Sequence, residues 1–216
     1  RRKVKLVAAF KADTATLLDV GAGTGYFTRA AKKGGWVAKG IEPNSTARGL
    51  ANDKSYNSVF SEKMLNSFPT ASFDVITLWH VLEHLPNLDK DIKTFKKLLK
   101  PNGRIIVAVP NFKSYDAGHF KKFWAAYDVP RHLWHFSKES IPKVFSRVQM
   151  SLESTHPMLM DAYYVSMLSN KHKTGSHKIF SSLCTGFLSS LKALKTGEYS
   201  SLIYVLKNNS WRSKAL

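Results

Sequence analysis

Short unbroken apolar runs alternate along this chain with stretches whose apolar positions recur every three or four residues. The first run, Leu17-Leu18-Asp19-Val20, ends in Gly21-Ala22-Gly23-Thr24-Gly25, the pattern of a buried parallel strand that breaks into a tight loop before a helix. A helix over 26–33 follows and stops at Gly34-Gly35. Next come a strand over 36–41, a short helix capped by Asn44 or Ser45 and running to 52, and a brief strand at Val59-Phe60. A strand over 73–78, a helix over 88–99, the turn Lys100-Pro101-Asn102-Gly103 and a strand over 104–109 complete this half, and residues 2–10 precede it as the end of a helix. Such βα alternation predicts a parallel sheet with helices on both faces.

The rhythm changes after Val109. Residues 111–137 are rich in aromatic and histidine side chains and carry no clear period. A loop of that length is usually functional or disordered, and its aromatic content argues against disorder. A helix over 138–147, a strand over 151–155, helices over 158–169 and 178–194 and a strand over 199–207 are predicted beyond it. In the last helix Phe180, Leu183, Phe187, Leu188, Leu191 and Leu194 recur near helical spacing, with Lys178, Lys192 and Lys195 nearby. Packing onto the sheet is the expectation for that stripe, and a seat on an anionic membrane is the alternative.

At 216 residues and 44% hydrophobic content the chain can bury one substantial core, so a single domain over 1–216 is expected. No apolar run approaches the roughly 20 residues that span a bilayer. The one cysteine, Cys184, excludes an internal disulfide and a cysteine-based zinc site, and no metal site is predicted. Its expected role is a small apolar residue on a helix in a reducing, cytoplasmic compartment. No signal peptide is visible in the sequence, which opens on Arg1 rather than Met. A net charge of +18 favours anionic partners such as nucleic acid or phospholipid headgroups, although a solvated lysine-rich surface accounts for it equally well.

The candidate chemistry starts at the glycine loop. Glu42 ends the second predicted strand, where nucleotide-binding α/β folds use a carboxylate to accept hydrogen bonds from ribose hydroxyls, so the predicted ligand is a nucleoside. The spacing Gly-x-Gly-x-Gly, with Tyr26 where a dinucleotide fingerprint has its third glycine, argues against a pyrophosphate.

The stretch from Leu17 to Gly25 resembles motif I of the class I S-adenosylmethionine (SAM) dependent methyltransferases. Ser72-Phe73-Asp74-Val75-Ile76 with Leu78-Trp79-His80-Val81-Leu82-Glu83-His84 is similar to that family's strand 4 motif beside the methyl donor, and Lys100-Pro101-Asn102-Gly103-Arg104 to its loop before strand 5. Pro130-Arg131-His132-Leu133-Trp134-His135-Phe136 resembles a segment of the broad methyltransferase 11/12/23 group, and Glu83-His84 resembles quinone-pathway O-methyltransferases. The resemblance covers about residues 17–155. It implies a Rossmann-like, seven-stranded, mostly parallel sheet whose last strand is antiparallel, with the helical segment 158–195 inserted before that strand as a lid or docking surface.

The cofactor implied is SAM, held by Asp19, Gly21, Ala22, Gly23, Gly25 and Tyr26 in the loop and by Glu42 and Pro43 at the ribose. Ser61 or Glu62 stands at the family's adenine position, here without its usual Asp, and Trp79 and His80 are expected to face the cofactor. The sulfonium of SAM is already activated, so the protein must position a nucleophile and, for a hydroxyl acceptor, remove a proton. His84, His132 and His135 are the candidate bases. Arg131 is a candidate clamp for an acceptor carboxylate or phosphate, or else a partner for Asp128. Three acceptor classes follow: a hydroxyl on a small or lipid-linked molecule, RNA or protein drawn by the charge, or none in a noncatalytic SAM-binding protein. No Asn-Pro-Pro-Tyr motif of the kind found in nucleic-acid amine methyltransferases follows the fourth strand.

Overall fold

A computed structural model describes residues 2–209 apart from 13 and 56. Seven strands form one sheet in the order β3-β2-β1-β4-β5-β7-β6: β1 (Thr16–Val20), β2 (Val37–Ile41), β3 (Val59–Phe60), β4 (Phe73–Trp79), β5 (Leu99–Pro110), β6 (Met150–Pro157) and β7 (Ser201–Asn208). The strands from β3 to β5 pair in parallel, and β7 runs antiparallel to both β5 and β6. The chain lays β2 and β3 on one side of β1, then returns to place β4 on its other side. That reversal opens a crevice at the carboxyl ends of β1 and β4, where open α/β sheets bind ligands.

Period-two alternation divides the strands between two cores. Leu18, Ile76, Leu78, Ile105 and Val107 face α4 (Leu88–Leu98) and α6 (Ser140–Ser146), which contribute Ile92, Phe95, Ile141 and Phe145. Their neighbours Leu17, Val75, Ile106 and Ala108 face the other way, onto Val7 of α1 (Arg2–Ala8) and Ala31 of α2 (Tyr26–Lys33). Burying both faces explains why these strands read as continuous apolar runs. A third helix, α3 (Ser45–Ser55), seats Ala51 against Ala22 and Val59.

The structure corrects the sequence reading in four places. β5 begins at Leu99, ahead of the expected turn. Leu99 pairs with Phe73 and Arg104 with Val75, so Lys100-Pro101-Asn102-Gly103 is a bulge within the strand. The aperiodic stretch holds a helix, α5 (Tyr115–Phe120), and two single 3₁₀ turns, organised around the buried Asp116. Its carboxylate accepts bonds from Trp124 Nε1 (2.8 Å), Ser189 Oγ (2.7 Å) and Ser200 Oγ (2.7 Å). Between β6 and β7 stand α7 (Asp161–Thr174) and α8 (Ile179–Thr196), and the apolar stripe of α8 faces away from the protein, because small residues fill its packing face. Cys184 on α8 is likewise exposed rather than packed. Among the described residues no helix is long and apolar enough to cross a membrane.

Candidate active site

The loop after β1 is built from backbone that side chains would obstruct. Gly21, Gly23 and Gly25 all have positive φ (70°, 54° and 74°). A Cβ on Gly21 would lie 2.3 Å from Val81 Cγ2, whereas a Cβ on Gly23 would meet nothing within 4 Å. Gly21 is therefore required by packing, and Gly23 borders open space. The Gly21 and Ala22 N–H groups donate to the Ile41 carbonyl at 2.8 and 2.9 Å, which locks the loop to the end of β2.

Glu42 follows directly and is nearly buried, with 9% of its surface exposed. Its Oε2 accepts from the Gly23 N–H at 2.8 Å and its Oε1 from the Asn44 N–H at 3.0 Å. Each oxygen keeps a second lone pair, the acceptor geometry that a vicinal diol needs. Ser61 and Glu62 lie just past β3, whose Phe60 carbonyl accepts the Glu42 N–H at 2.9 Å, so they stand at the same rim. Pro43 is exposed beside them, and its carbonyl accepts from Arg48 Nη1 at 3.0 Å.

Asp19 is placed differently from its assignment as a ligand contact. It is 1% exposed, and its two oxygens accept from Thr28 Oγ1 and Thr77 Oγ1, both at 2.9 Å. It braces β1, α2 and β4 from behind the loop. Burial pushes its pKa up to about 6 against the hydrogen bonds of the two threonines. Tyr26, at the start of α2, is 83% exposed and edges a shallow groove with Thr24 and Arg29 on the outside of the loop.

A second cavity of about 410 Å³ lies past the carboxyl ends of β4 and β5, bounded by α7 and the segment after β5. His80, Glu83, His132, Asp161, Lys3 and Tyr164 are among its walls. His80 has a left-handed backbone (φ 57°) and donates its N–H to the Ala108 carbonyl at 2.9 Å. Its ring bridges two carboxylates, Nδ1 standing 3.5 Å from Glu83 Oε1 and Nε2 3.3 Å from Asp161 Oδ2. Burial opposes a charge on this ring, but the two carboxylates outweigh it and raise the pKa to about 9. His80 therefore ties β4 to the first residue of α7, a role its sequence position does not reveal. Trp79 turns away toward α1 and α2, with Phe27 at 5.1 Å between ring centroids and Lys3 Nζ 4.6 Å from its ring.

The three candidate bases separate here. His132 lines the cavity. Its Nδ1 lies 2.8 Å from the Ala126 carbonyl, which accepts only from a protonated nitrogen, so Nε2 carries the free lone pair. Burial is the leading influence and holds its pKa below the ordinary value. His84 packs edge-on against His132, 4.6 Å between centroids, with Nδ1 3.0 Å from the Arg131 carbonyl. His135 is exposed, contacts the Tyr127 carbonyl and lines a separate surface groove with Trp134 and Pro86. Arg131 pairs with Asp128 at 2.7 Å and is 76% exposed. Neither His135 nor Arg131 is a wall of the cavity, and Arg131 takes the alternative expected for it, the partner of Asp128.

Glu83 completes the arrangement. It is 1% exposed, and among the described residues its carboxylate is met only by the His80 ring, 3.5 Å from Oε1. Glu83, His84 and His132 each offer one ligand atom within 4.8 Å of the others, a donor set suited to a divalent cation that the sequence reading did not anticipate. Lys3, Glu83 and Asp161 were missed as site residues because each comes from a different element. Only the fold brings them together.

A glycine loop beside a nearly buried carboxylate with spare lone pairs, next to a cavity that a histidine lines, is an arrangement a nucleoside ligand fits on a doubly wound sheet. Sequence comparison makes the class specific: the methyltransferase domain family matches residues 1–155, and the chain belongs to that family. It is 33% identical over 106 residues to the ubiquinone biosynthesis O-methyltransferase of Pseudomonas paraeruginosa, covering 44% of each chain. To the protein of the same description from Methylococcus capsulatus it is 28% identical over 140 residues, 60% of this chain and 59% of that one. The chain thus spans about half the length of the curated relatives it matches. A SAM-dependent methyltransferase structure from Archaeoglobus fulgidus superposes with a TM-score of 0.64 at 17% identity, covering 96% of this chain and 92% of the other. The family's cofactor is SAM, and the open face over Gly23 and the spare lone pairs of Glu42 fit its nucleoside.

Proposed function

We propose that this protein transfers the methyl group of SAM to a hydroxyl of a small or lipid-linked molecule bound in the cavity, in a cytoplasmic setting. The observation that carries the reading is the His132 ring in the cavity wall, whose Nδ1 faces the Ala126 carbonyl at 2.8 Å and so leaves Nε2 as the acceptor, with burial lowering its pKa. When bound, SAM supplies an electrophilic methyl on a sulfonium and leaves as the neutral thioether S-adenosylhomocysteine. His132 takes the acceptor's proton as the oxygen bonds to the methyl carbon. Lys3 and the Asp161–His80–Glu83 bridge shape the cavity wall around the acceptor. The O-methyltransferase description of the curated relatives supports an oxygen acceptor.

The test is transfer of label from radiolabelled SAM into a cell extract separated into lipid, small-molecule, RNA and protein fractions, repeated with His132→Ala. Label in the lipid or small-molecule fraction, lowered about 10²- to 10⁴-fold in the variant, is the expected result. Label in RNA or protein refutes the acceptor class and gives the +18 charge the substrate role. Cofactor binding with no transfer to any fraction favours a noncatalytic SAM-binding protein.

The buried carboxylate of Glu83, met only by the His80 ring at 3.5 Å, favours a second reading of the same step. A divalent cation held by Glu83, His84 and His132 would acidify the acceptor hydroxyl in place of a histidine base. Activity that is lost to a chelator and returns with added cation selects this reading.

A further inference from the structure

Helix α8 is inverted relative to an ordinary surface helix. Its buried residues are Ser182, Thr185, Gly186, Ser189 and Ala193. Gly186 lies so close to α7 that a Cβ there would stand 2.7 Å from Tyr163 Cδ1, and Ser189 donates to the buried Asp116. The large apolar side chains occupy the opposite face: Phe180 is 81% exposed, Phe187 57%, Leu191 49% and Leu194 71%. At 100° per residue these four fall within a single narrow stripe, and Leu183 joins it. A stripe of this kind on the outside of a folded chain marks a surface that something covers.

The charge around the stripe says what covers it. No Asp or Glu stands between Asp161 and Glu198, while that segment carries five lysines and two histidines. Lys171, Lys173 and Lys178 cluster exposed at the hairpin tip, and Lys195 flanks the stripe. Lysines beside exposed phenylalanine and leucine match the boundary between anionic headgroups and acyl chains. A second copy of the chain would bring the same lysines against one another, on a protein that already carries a net charge of +18.

We propose that the α7–α8 hairpin is a membrane-docking element that seats the outer face of α8 in the interface of an anionic phospholipid bilayer. This goes beyond the reading of the reaction and does not depend on it, since membrane binding is measured without methyl transfer. The same hairpin lines the reaction cavity through Asp161, Tyr164 and Leu168 on α7, so docking and the cavity share one structural unit.

The test is co-sedimentation of the full chain with vesicles of phosphatidylcholine and phosphatidylglycerol, against vesicles of phosphatidylcholine alone. Binding to the anionic vesicles that weakens with added salt is expected. Partitioning should fall at least about tenfold in the triple variant Phe180→Ser, Phe187→Ser, Leu191→Ser, and likewise in Lys171→Glu, Lys173→Glu, Lys178→Glu. All six residues are exposed, and retained SAM binding reports that each variant is folded. The unaltered protein gives an independent readout: Cys184 is the sole cysteine, exposed on the same face, so a polarity-sensitive fluorophore attached there should shift to the blue when anionic vesicles are added. No binding to anionic vesicles, unchanged binding of the serine variant, or a fluorophore blind to vesicles overturns the proposal. A dimer in sedimentation equilibrium that the serine variant dissociates does so as well, by giving the stripe to a second copy.

Discussion

Replacing Gly23 and Gly21 by alanine in turn separates the ligand seat from the scaffold beneath it. Both positions have left-handed backbone, so either substitution costs about 1–2 kcal/mol in the unliganded protein. For Gly23→Ala that is the whole cost, because the new methyl meets nothing within 4 Å. The melting temperature should fall by about 2–8 °C, at roughly 2–4 °C per kcal/mol for a chain of this size. At Gly21 the methyl would stand 2.3 Å from Val81 Cγ2 and 3.2 Å from Cγ1, so the whole branched side chain must move. Overpacking of that kind adds about 1–3 kcal/mol, for a total of about 2–5 kcal/mol and a fall of about 4–20 °C. Binding should run the other way. The Gly23 methyl enters the space above the loop, and SAM affinity measured by calorimetry should drop about ten- to hundredfold in a protein that still melts near the parent. Unchanged affinity in Gly23→Ala, or equal destabilisation by both substitutions, would refute the placement of the cofactor over this loop.

Three further outcomes follow from the same geometry. Glu42→Ala should weaken SAM binding about 10- to 150-fold, the loss of a charged hydrogen bond at about 1.5–3 kcal/mol, and Glu42→Gln should not rescue it because both carboxylate oxygens already face N–H donors; affinity within about twofold of the parent in calorimetry removes the ribose role. Asp19 is a carboxylate whose folded pKa of about 6 exceeds the ordinary 3.8, so its burial costs nothing at low pH and comes to cost about 3 kcal/mol as pH rises through about 6. Asp19→Asn should therefore gain stability relative to the parent between about pH 4 and 7 in paired thermal melts, and a difference independent of pH contradicts the burial argument. Asp116→Ala leaves Trp124, Ser189 and Ser200 without their shared buried acceptor and should destabilise by about 3–5 kcal/mol in denaturant titration, where a loss below about 1 kcal/mol would show that the three elements hold together without it.

Those residues also show what was legible beforehand. The glycine loop and the strands on either side of it could be read because each depends on a few adjacent residues and a local period. Asp116 could not be read. Its three donors lie 8, 73 and 84 residues away, and nothing in Tyr115-Asp116-Ala117 signals a hub. His80 illustrates the same limit, since it was expected to face the cofactor, whereas its ring bridges to Asp161, which comes from an inserted hairpin. Arg131 and His135 show the opposite: their motif is contiguous, yet the chain there turns both toward solvent, Arg131 onto its alternative partner Asp128, and only His132 lines the cavity.

The α8 stripe failed for a reason of energy. Spacing of apolar residues reports that a helix has two faces, and the usual inference buries the apolar one because that removes the most nonpolar surface from water. In this hairpin close approach decides otherwise. Gly186 lets α8 come against Tyr163, while Ser182, Ser189 and Ala193 are small enough to sit beside Asn170, Asp116 and the hydroxyl network, and Ser182 accepts from Asn170 Nδ2 at 2.8 Å. A small-residue face satisfied by hydrogen bonds leaves the phenylalanines and leucines to be covered from outside. If that face were instead free to rotate inward, Gly186→Leu would be tolerated. With a Cβ already within 2.8 Å of the Tyr163 backbone, the substitution must push α8 off α7, and loss of the cooperative melt is the expected result.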